Sequence, residues 1–461
     1  MTGAGSADLI ESLDEAPLGR AHRRPVLVSG MGFFTDAYDL FVIGVASTLV
    51  KQDWHLSSAR LALLNATMLA AAFLGALIFG RLADALGRKR VYWLVAAIMA
   101  VAALGSALAP SFWFLIGFRF FLGLGVGGDY PVSAVLMTEY ANRKDRGKLV
   151  GLVFSTQALG LIIGPLIALA CLGAGTGPDI TWRILLALGA IPSAAVVYLR
   201  RKLPESPRYR AHEMIKNSPQ ARKRTDMQGG MRAFLGSRKL LVTLAGTAGC
   251  WFLLDYAYYG NTISTPQIIG LISPHSSTMT TIAIQLAIFV VAALPGYALA
   301  IARIDRIGHR RLQLLGFVAM ALCFGTIGLV PGMTIAVAPF LIAYGISYFF
   351  TEFGPNVTTF ILPGEVFPVS VRATGHGISA GIGKFGAFIG VFLFPILQTN
   401  LGLRGTLLLT AGVALLGGLL TLVLPEPARR SLHDVAADYA VSSAATPLHA
   451  EADSDPAAVA S

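Results

Sequence analysis

The stretch Gly80-Arg81-Leu82-Ala83-Asp84-Ala85-Leu86-Gly87-Arg88-Lys89-Arg90 separates two long apolar runs, and a shorter counterpart, Asp305-Arg306-Ile307-Gly308-His309-Arg310-Arg311, separates another two. Both place a glycine three residues after an aspartate and follow it with basic residues. The glycine allows a tight turn, and the basic cluster keeps the loop in water on one side of a membrane. Asp84 and Asp305 stand 221 positions apart. Working outward, Glu139 and Arg146, seven apart, answer to Glu365 and Arg372, also seven apart, at an offset of 226. Asp36 answers to Asp255 at 219. An offset drifting around 220 is the trace of a duplicated unit of six apolar runs. Repeats of this kind mark secondary transporters, with the substrate site between the halves near mid-bilayer. Asp84, Arg88, Asp305, Arg310, Glu139, Arg146, Glu365 and Arg372 are therefore candidate gating residues, whose charges latch the halves in one state and part in the other.

Composition supplies the membrane. Hydrophobic residues make up 55% of the 461-residue chain and charged residues 13%, against about a quarter charged in a soluble domain. Twelve runs are long enough to cross a bilayer: 26–50, 60–80, 91–110, 112–139, 149–173, 181–199, 240–263, 278–301, 312–331, 334–362, 374–398 and 404–424. The expected fold is an all-α membrane protein of twelve transmembrane helices in two pseudo-symmetric six-helix bundles. The expected division is a cytoplasmic tail 1–25, bundles 26–199 and 239–425, a cytoplasmic linker 200–238, and a disordered tail 426–461.

The net charge of +11 does not point to nucleic acid, because every second loop carries the basic residues and the alternate loops carry few. That asymmetry places both termini and the basic loops in the cytoplasm. No cleavable leader is read at the N-terminus. Cys171, Cys250 and Cys323 all lie inside apolar runs and read as packing residues. No metal-ligand spacing, nucleophile–base pair or cofactor loop is found, which argues against an enzyme and against any cofactor. The formal dinucleotide patterns at Gly123, Gly125 and Gly128 and at Gly381, Gly383 and Gly386 lie inside apolar runs rather than after strands, so they read as sites of close helix approach.

Charge inside lipid is costly unless paired, hydrated or functional. Asp255 sits in the seventh run with Trp251 and Tyr259 at i−4 and i+4, one stripe of a helix. Asp36 and Asp39 lie in the first run with Tyr38 between them, spaced so that both carboxylates are expected on one face. Two carboxylates close together out of water favour the protonated form. Asp129 and Tyr130 follow the glycines of the fourth run, and Pro131 is expected to bend the helix beside them. Gln157 and Lys384 stand 227 apart in repeat-related runs, with Lys384 too deep to reach water and in need of a carboxylate partner. Arg119 needs a partner as well. Glu352, Asn356 and Glu365 occupy the tenth run, and His376 reads as incidental. Both halves thus offer acids and hydrogen-bonding groups at mid-depth, suited to a small polar solute coupled to protons.

These residues resemble a known family. The chain is similar to the major facilitator superfamily over about residues 25–430, and within it to the phosphate:proton symporters. The matching stretches are Gly32-Phe33-Phe34-Thr35-Asp36-Ala37-Tyr38-Asp39-Leu40-Phe41, Gly127-Gly128-Asp129-Tyr130-Pro131-Val132-Ser133-Ala134, Trp251 to Gly260, and Phe353-Gly354-Pro355-Asn356 through Pro363-Gly364-Glu365-Val366-Phe367-Pro368, followed by Lys384. The loop motif identifies only the superfamily; the Gly-Gly-Asp-Tyr-Pro run and the Trp-Asp-Tyr stripe are far more specific. The resemblance implies a phosphate site lined by Tyr130, Gln157, Trp251, Asp255, Tyr259 and Asn356. It implies a proton path through Asp36, Asp39 and Asp129, and Lys384 as the ion-pair partner of the site. The linker and tail are short beside eukaryotic members, which leaves no support for a receptor-like role. Pro204-Glu205-Ser206-Pro207-Arg208 also resembles sugar porters and does not discriminate.

The expectation is a monomeric inner-membrane symporter that imports inorganic phosphate with protons by alternating access, with the lipid bilayer as surroundings and no nucleic-acid partner. A protonated Asp255 would donate to phosphate and, on losing its proton, repel it. The competing reading is a symporter for a sugar, an aromatic acid or another organic anion.

Overall fold

A computed structural model describes Glu15 and residues 20–201, 236–368 and 371–432, apart from a few side chains that include those of Arg88 and Glu139. The expectations for most of the linker, for the tail beyond residue 432, for the Pro204–Arg208 run and for those two side chains lie outside the described residues.

Among the described residues every regular element is helical. The first half comprises α1 (Arg20–Trp54), α2 (Ser58–Leu86), α3 (Arg88–Ala107), α4 (Phe112–Tyr140), α5 (Arg146–Gly173) and α6 (Pro178–Arg201). The second comprises α7 (Arg238–Ile272), α8 (Thr278–Ile307), α9 (His309–Leu329) and α10 (Val337–Val366). A last helical stretch, Arg372–Thr421, is broken at Gly402, where φ is 67°. Before that glycine the chain runs alongside α7 in the same direction, with Gly383 at Trp251 and Gly390 at Tyr256. After it the direction reverses, with Gly417 at the Cys250 thiol and Leu424 at Gly246. The stretch is therefore two spans, α11 (372–401) and α12 (403–421), and the described spans number twelve.

The duplicated loops fold alike. Gly87, between α2 and α3, has φ 89° and ψ 148°; Gly308, between α8 and α9, has φ 97° and ψ 147°. This region is almost closed to residues with a Cβ, which explains why the motif holds glycine there. Glycines also set the helix crossings. A Cβ on Gly123 or Gly127 of α4 would collide with the carbonyl of Met68 or Ala72 of α2, and one on Gly386 or Gly390 of α11 with Phe252 or Tyr256 of α7. Backbones meet closely there, as small residues allow in lipid. Large apolar residues such as Trp113, Val101, Leu322 and Leu419 lie exposed on the outside of the bundle, as lipid contact requires.

Helix α4 is continuous through Pro131. Two details differ from the sequence reading. Helix α7 runs on to Ile272, well past residue 263. Helix α6 continues to Arg201, so Arg200 belongs to a span and not to the basic linker.

Candidate functional site

The two halves meet along several helix pairs. Phe41 of α1 stacks on Tyr259 of α7 with centroids 5.2 Å apart. Gly80 of α2 lies against Ala373 and Gly377 of α11. Tyr130 of α4 meets Phe360 of α10 edge to face at 6.1 Å, and Phe154 of α5 meets Tyr297 of α8 at 6.5 Å.

At this seam the helical stripe Trp251, Asp255, Tyr259 faces Lys384 of α11. The Lys384 ammonium donates to Asp255 at 2.8 Å and to the Tyr259 hydroxyl at 3.0 Å. It lies 4.5 Å from the Tyr130 ring centroid and 4.4 Å from that of Tyr259, within the range of cation–π attraction. The Tyr130 and Tyr259 hydroxyls are 3.5 Å apart. Trp251 closes the group beside Tyr130, with centroids 6.2 Å apart. Lys384 thus has the carboxylate partner its depth demanded, and a residue of the first half caps a charge pair of the second.

Gln157 and Asn356 gather around Tyr297. Gln157 donates to the Tyr297 hydroxyl, and Asn356 does so at 2.8 Å. Asn356 also donates to Glu352 one turn before it. Tyr297 follows a π-helical turn, Phe289–Ala293, in α8; such turns re-aim side chains and recur at functional sites. Sequence reading missed Tyr297, which is one tyrosine in an apolar run, and gave Glu352 no role.

The acids of the first half do not join this group directly. Asp129 pairs with Arg200 at 2.5 Å and accepts from Ser133 at 3.1 Å. The Arg200 guanidinium lies 3.7 Å from the Tyr92 ring centroid. Asp36 faces Asp129, and neither of its oxygens has a hydrogen-bond partner among the described residues. Asp39 turns elsewhere: its carboxyl lies against Gly189 of α6, and Arg119 donates to its backbone carbonyl at 3.1 Å. Asp36 and Asp39, three residues apart on α1, each lie beside α4, Asp36 near Asp129 and Asp39 near Arg119. Tyr38, between them, donates to the Leu185 carbonyl at 2.7 Å.

On the side of the basic loops the candidate gating residues cross between repeats. Asp84 accepts from the Thr374 amide at 2.7 Å and its hydroxyl at 2.6 Å. Asp305 accepts from the Gly147 and Lys148 amides at 3.1 and 2.8 Å. Each carboxylate thus sits on the N-terminus of a helix of the other half, where free N–H groups and the helix dipole favour an anion. Arg146 reaches Glu365 of the other half at 3.9 Å, and His309 lies 3.6 Å from the same carboxylate. Arg310 donates to the Leu422 carbonyl, and Arg372 to that of Phe367. His376, read as incidental, is buried with its ring 5.4 Å from those of Trp251 and Phe360. Among the described residues no cluster suited to a metal occurs.

Twelve spans in two repeats, with crossed helix caps on one side and buried charge where the halves meet, define a secondary transporter of the major facilitator architecture. The proton:xylose symporter XylE bound to 6-bromo-6-deoxy-D-glucose shares the fold at TM-score 0.75 and 18% identity, over 91% of this chain and 99% of that one. The human organic anion transporter MFSD10 shares it at TM-score 0.66 and 17% identity, over 87% and 100%. The chain belongs to the sugar (and other) transporter family, which matches residues 26–439, and it is a multi-pass membrane protein. Probable inorganic phosphate transporter 1-6 of Arabidopsis thaliana is 34% identical, over 95% of this chain and 98% of the relative. Inorganic phosphate transporter 1-6 of Oryza sativa subsp. japonica is 36% identical, over 95% and 97%.

Proposed function

We propose that this protein imports inorganic phosphate together with protons. The observation that carries the reading is the buried Lys384–Asp255 pair, ringed by Tyr130, Tyr259 and Trp251 and close to Gln157 and Asn356. An anion needs a cation and several donors, and this group supplies them at the seam between the halves. The naming of the relatives as inorganic phosphate transporters supports the same substrate.

In the proposed cycle a proton on Asp255 ends its attraction for Lys384. The freed ammonium and the neutral carboxyl then both serve the phosphate, with the hydroxyl, indole and amide groups as further donors. On the other side of the membrane the proton leaves. The carboxylate takes Lys384 back and repels the anion by about 4 kcal/mol at 4 Å in a medium of effective dielectric near 20. Asp36, Asp39 and Asp129 form the proton path of the first half. The crossed caps of Asp84 and Asp305, with Arg146 and Glu365, hold the basic-loop side shut while the other side is open. In this reading the basic loops and both termini are cytoplasmic, the membrane is the inner one, the protein acts as a monomer, and residues 26–199 and 239–425 are the rocking bundles.

Purified protein in vesicles tests this. Labelled phosphate should accumulate when the outside is acid and should merely equilibrate without a pH gradient. Competition by arsenate but not by a hexose or benzoate is expected; the reverse order would transfer the protein to a sugar or aromatic-acid substrate.

A further inference from the structure

The second half holds three buried acids in its spans, and two have cations: Asp255 has Lys384, and Glu365 has Arg146. Glu352 has none among the described residues, although it is fully buried. One of its oxygens accepts from Asn356, while Oε1 has no hydrogen-bond partner among the described residues. The titratable groups that face it are tyrosines: Tyr258 of α7, Tyr297 of α8 and Tyr348 of its own helix. The Tyr297 hydroxyl already accepts from two amides, Gln157 and Asn356. Its lone pairs are taken, so its own proton is what it offers Glu352. An ionised carboxylate buried and held only by neutral donors pays a large desolvation cost. Protonation removes that cost and gives Oε1 a proton to donate.

A route for the proton is built beside it. The Tyr258 hydroxyl is buried without a hydrogen-bond partner among the described residues. A void of about 10 Å³ beside it is lined by Ala257, Met320 and Phe324 as well as Tyr258, Tyr348 and Thr351. From there the hydroxyls run on: Tyr348 to Thr262 at 2.9 Å, Tyr348 to Thr265 at 3.1 Å, and Thr265 to Tyr344 at 3.1 Å. Pro266, the residue after Thr265, lines a cavity of about 210 Å³ with Gln267, Val45 and Thr48 on the side away from the basic loops.

We infer that Glu352 is a second proton-carrying group of the transport cycle, loaded from the cavity at Pro266 along the Thr265–Tyr348–Tyr258 hydroxyls and read at the substrate site through Asn356 and Tyr297. The proton comes from water in that cavity, rests on the carboxyl, and leaves to water on the basic-loop side as the halves rock. The number of protons per substrate is then one greater than the acids of the first half and Asp255 supply. This inference rests on the phosphate reading for its transport readout.

The test is Glu352→Gln, which keeps the shape and carries no titrating proton. In vesicles the parent and the variant are compared for proton flux per phosphate, and for phosphate exchange at equal pH, which moves no net proton. Lack of phosphate uptake by the parent would strike the phosphate reading alone. With an active parent, the variant should exchange phosphate normally while moving one proton fewer per phosphate; an unchanged ratio overturns the inference. Infrared difference spectra of the purified proteins between acid and alkaline pH need no transport. A carboxylic-acid carbonyl band present in the parent should vanish in the variant, and its persistence overturns the inference even if Glu352→Gln neither exchanges nor accumulates phosphate.

Discussion

Lys384 shows how one residue's physics fixes its neighbours. An ammonium that deep is tolerable only against a carboxylate, and Asp255 is 2.8 Å away. Removing one partner of such a pair costs about 3–5 kcal/mol, because a lone charge is left buried. Lys384→Ala is therefore expected to lower phosphate accumulation by well over tenfold, and uptake equal to the parent's would show that the ammonium does not serve the site. Asp255→Asn should retain exchange while losing the response to a pH gradient; gradient-driven accumulation at the parent's level would remove Asp255 from the coupling. Arg200 makes the same argument in the first half, buried against Asp129 and the Tyr92 ring. Arg200→Gln should lower thermal stability in detergent by a similar amount, and adding Asp129→Asn should recover much of it, since the pair's charges are then both gone. If the double variant is as unstable as the sum of the singles, the ion pair is not what Arg200 contributes.

At the scale of elements, glycine decides which helices lie close. The α2–α4 contact depends on Gly75, Gly123 and Gly127, each facing a backbone carbonyl across the seam. Gly127→Val forces α4 away from Ala72 and should cost about 1–3 kcal/mol or more. Because Asp129 and Tyr130 ride on the same helix, transport should fall along with thermal stability. A Gly127→Val protein with the parent's melting temperature would mean that α2 and α4 are not in contact as described. The π-helical turn of α8 is the other device at this scale. It brings Tyr297 to Gln157 and Asn356, a placement that a regular helical count of the sequence does not give.

For the molecule as a whole, the proposed latch lies on the basic-loop side. Asp84 and Asp305 each cap a helix of the opposite half, so closing one end requires both halves to face each other in register. Each charge-assisted cap is worth about 0.5–2 kcal/mol. Neutralising both, Asp84→Asn with Asp305→Asn, should shift the protein toward the form open on that side. Cysteines introduced near Gly147 and Thr374 should then react faster with a membrane-impermeant reagent applied to the basic-loop face. Unchanged reactivity would count against the caps as the latch.

Local signals along the chain were enough for the twelve spans, the duplication and the residue types of the proposed site. Those follow from local facts: a run of apolar residues must cross, basic residues stay out, and Gly87 and Gly308 serve a turn that nothing else fits. Asp255, Tyr259 and Lys384 were legible for the same reason, since charge in lipid announces itself in one dimension. Partners, by contrast, are visible only in the folded chain. Arg200 looked like linker charge until α6 carried it to Asp129; Tyr297 and Glu352 gained meaning through α8 and α10 lying side by side. Partnership depends on distances between segments far apart in the chain, and composition and periodicity carry no information about those distances.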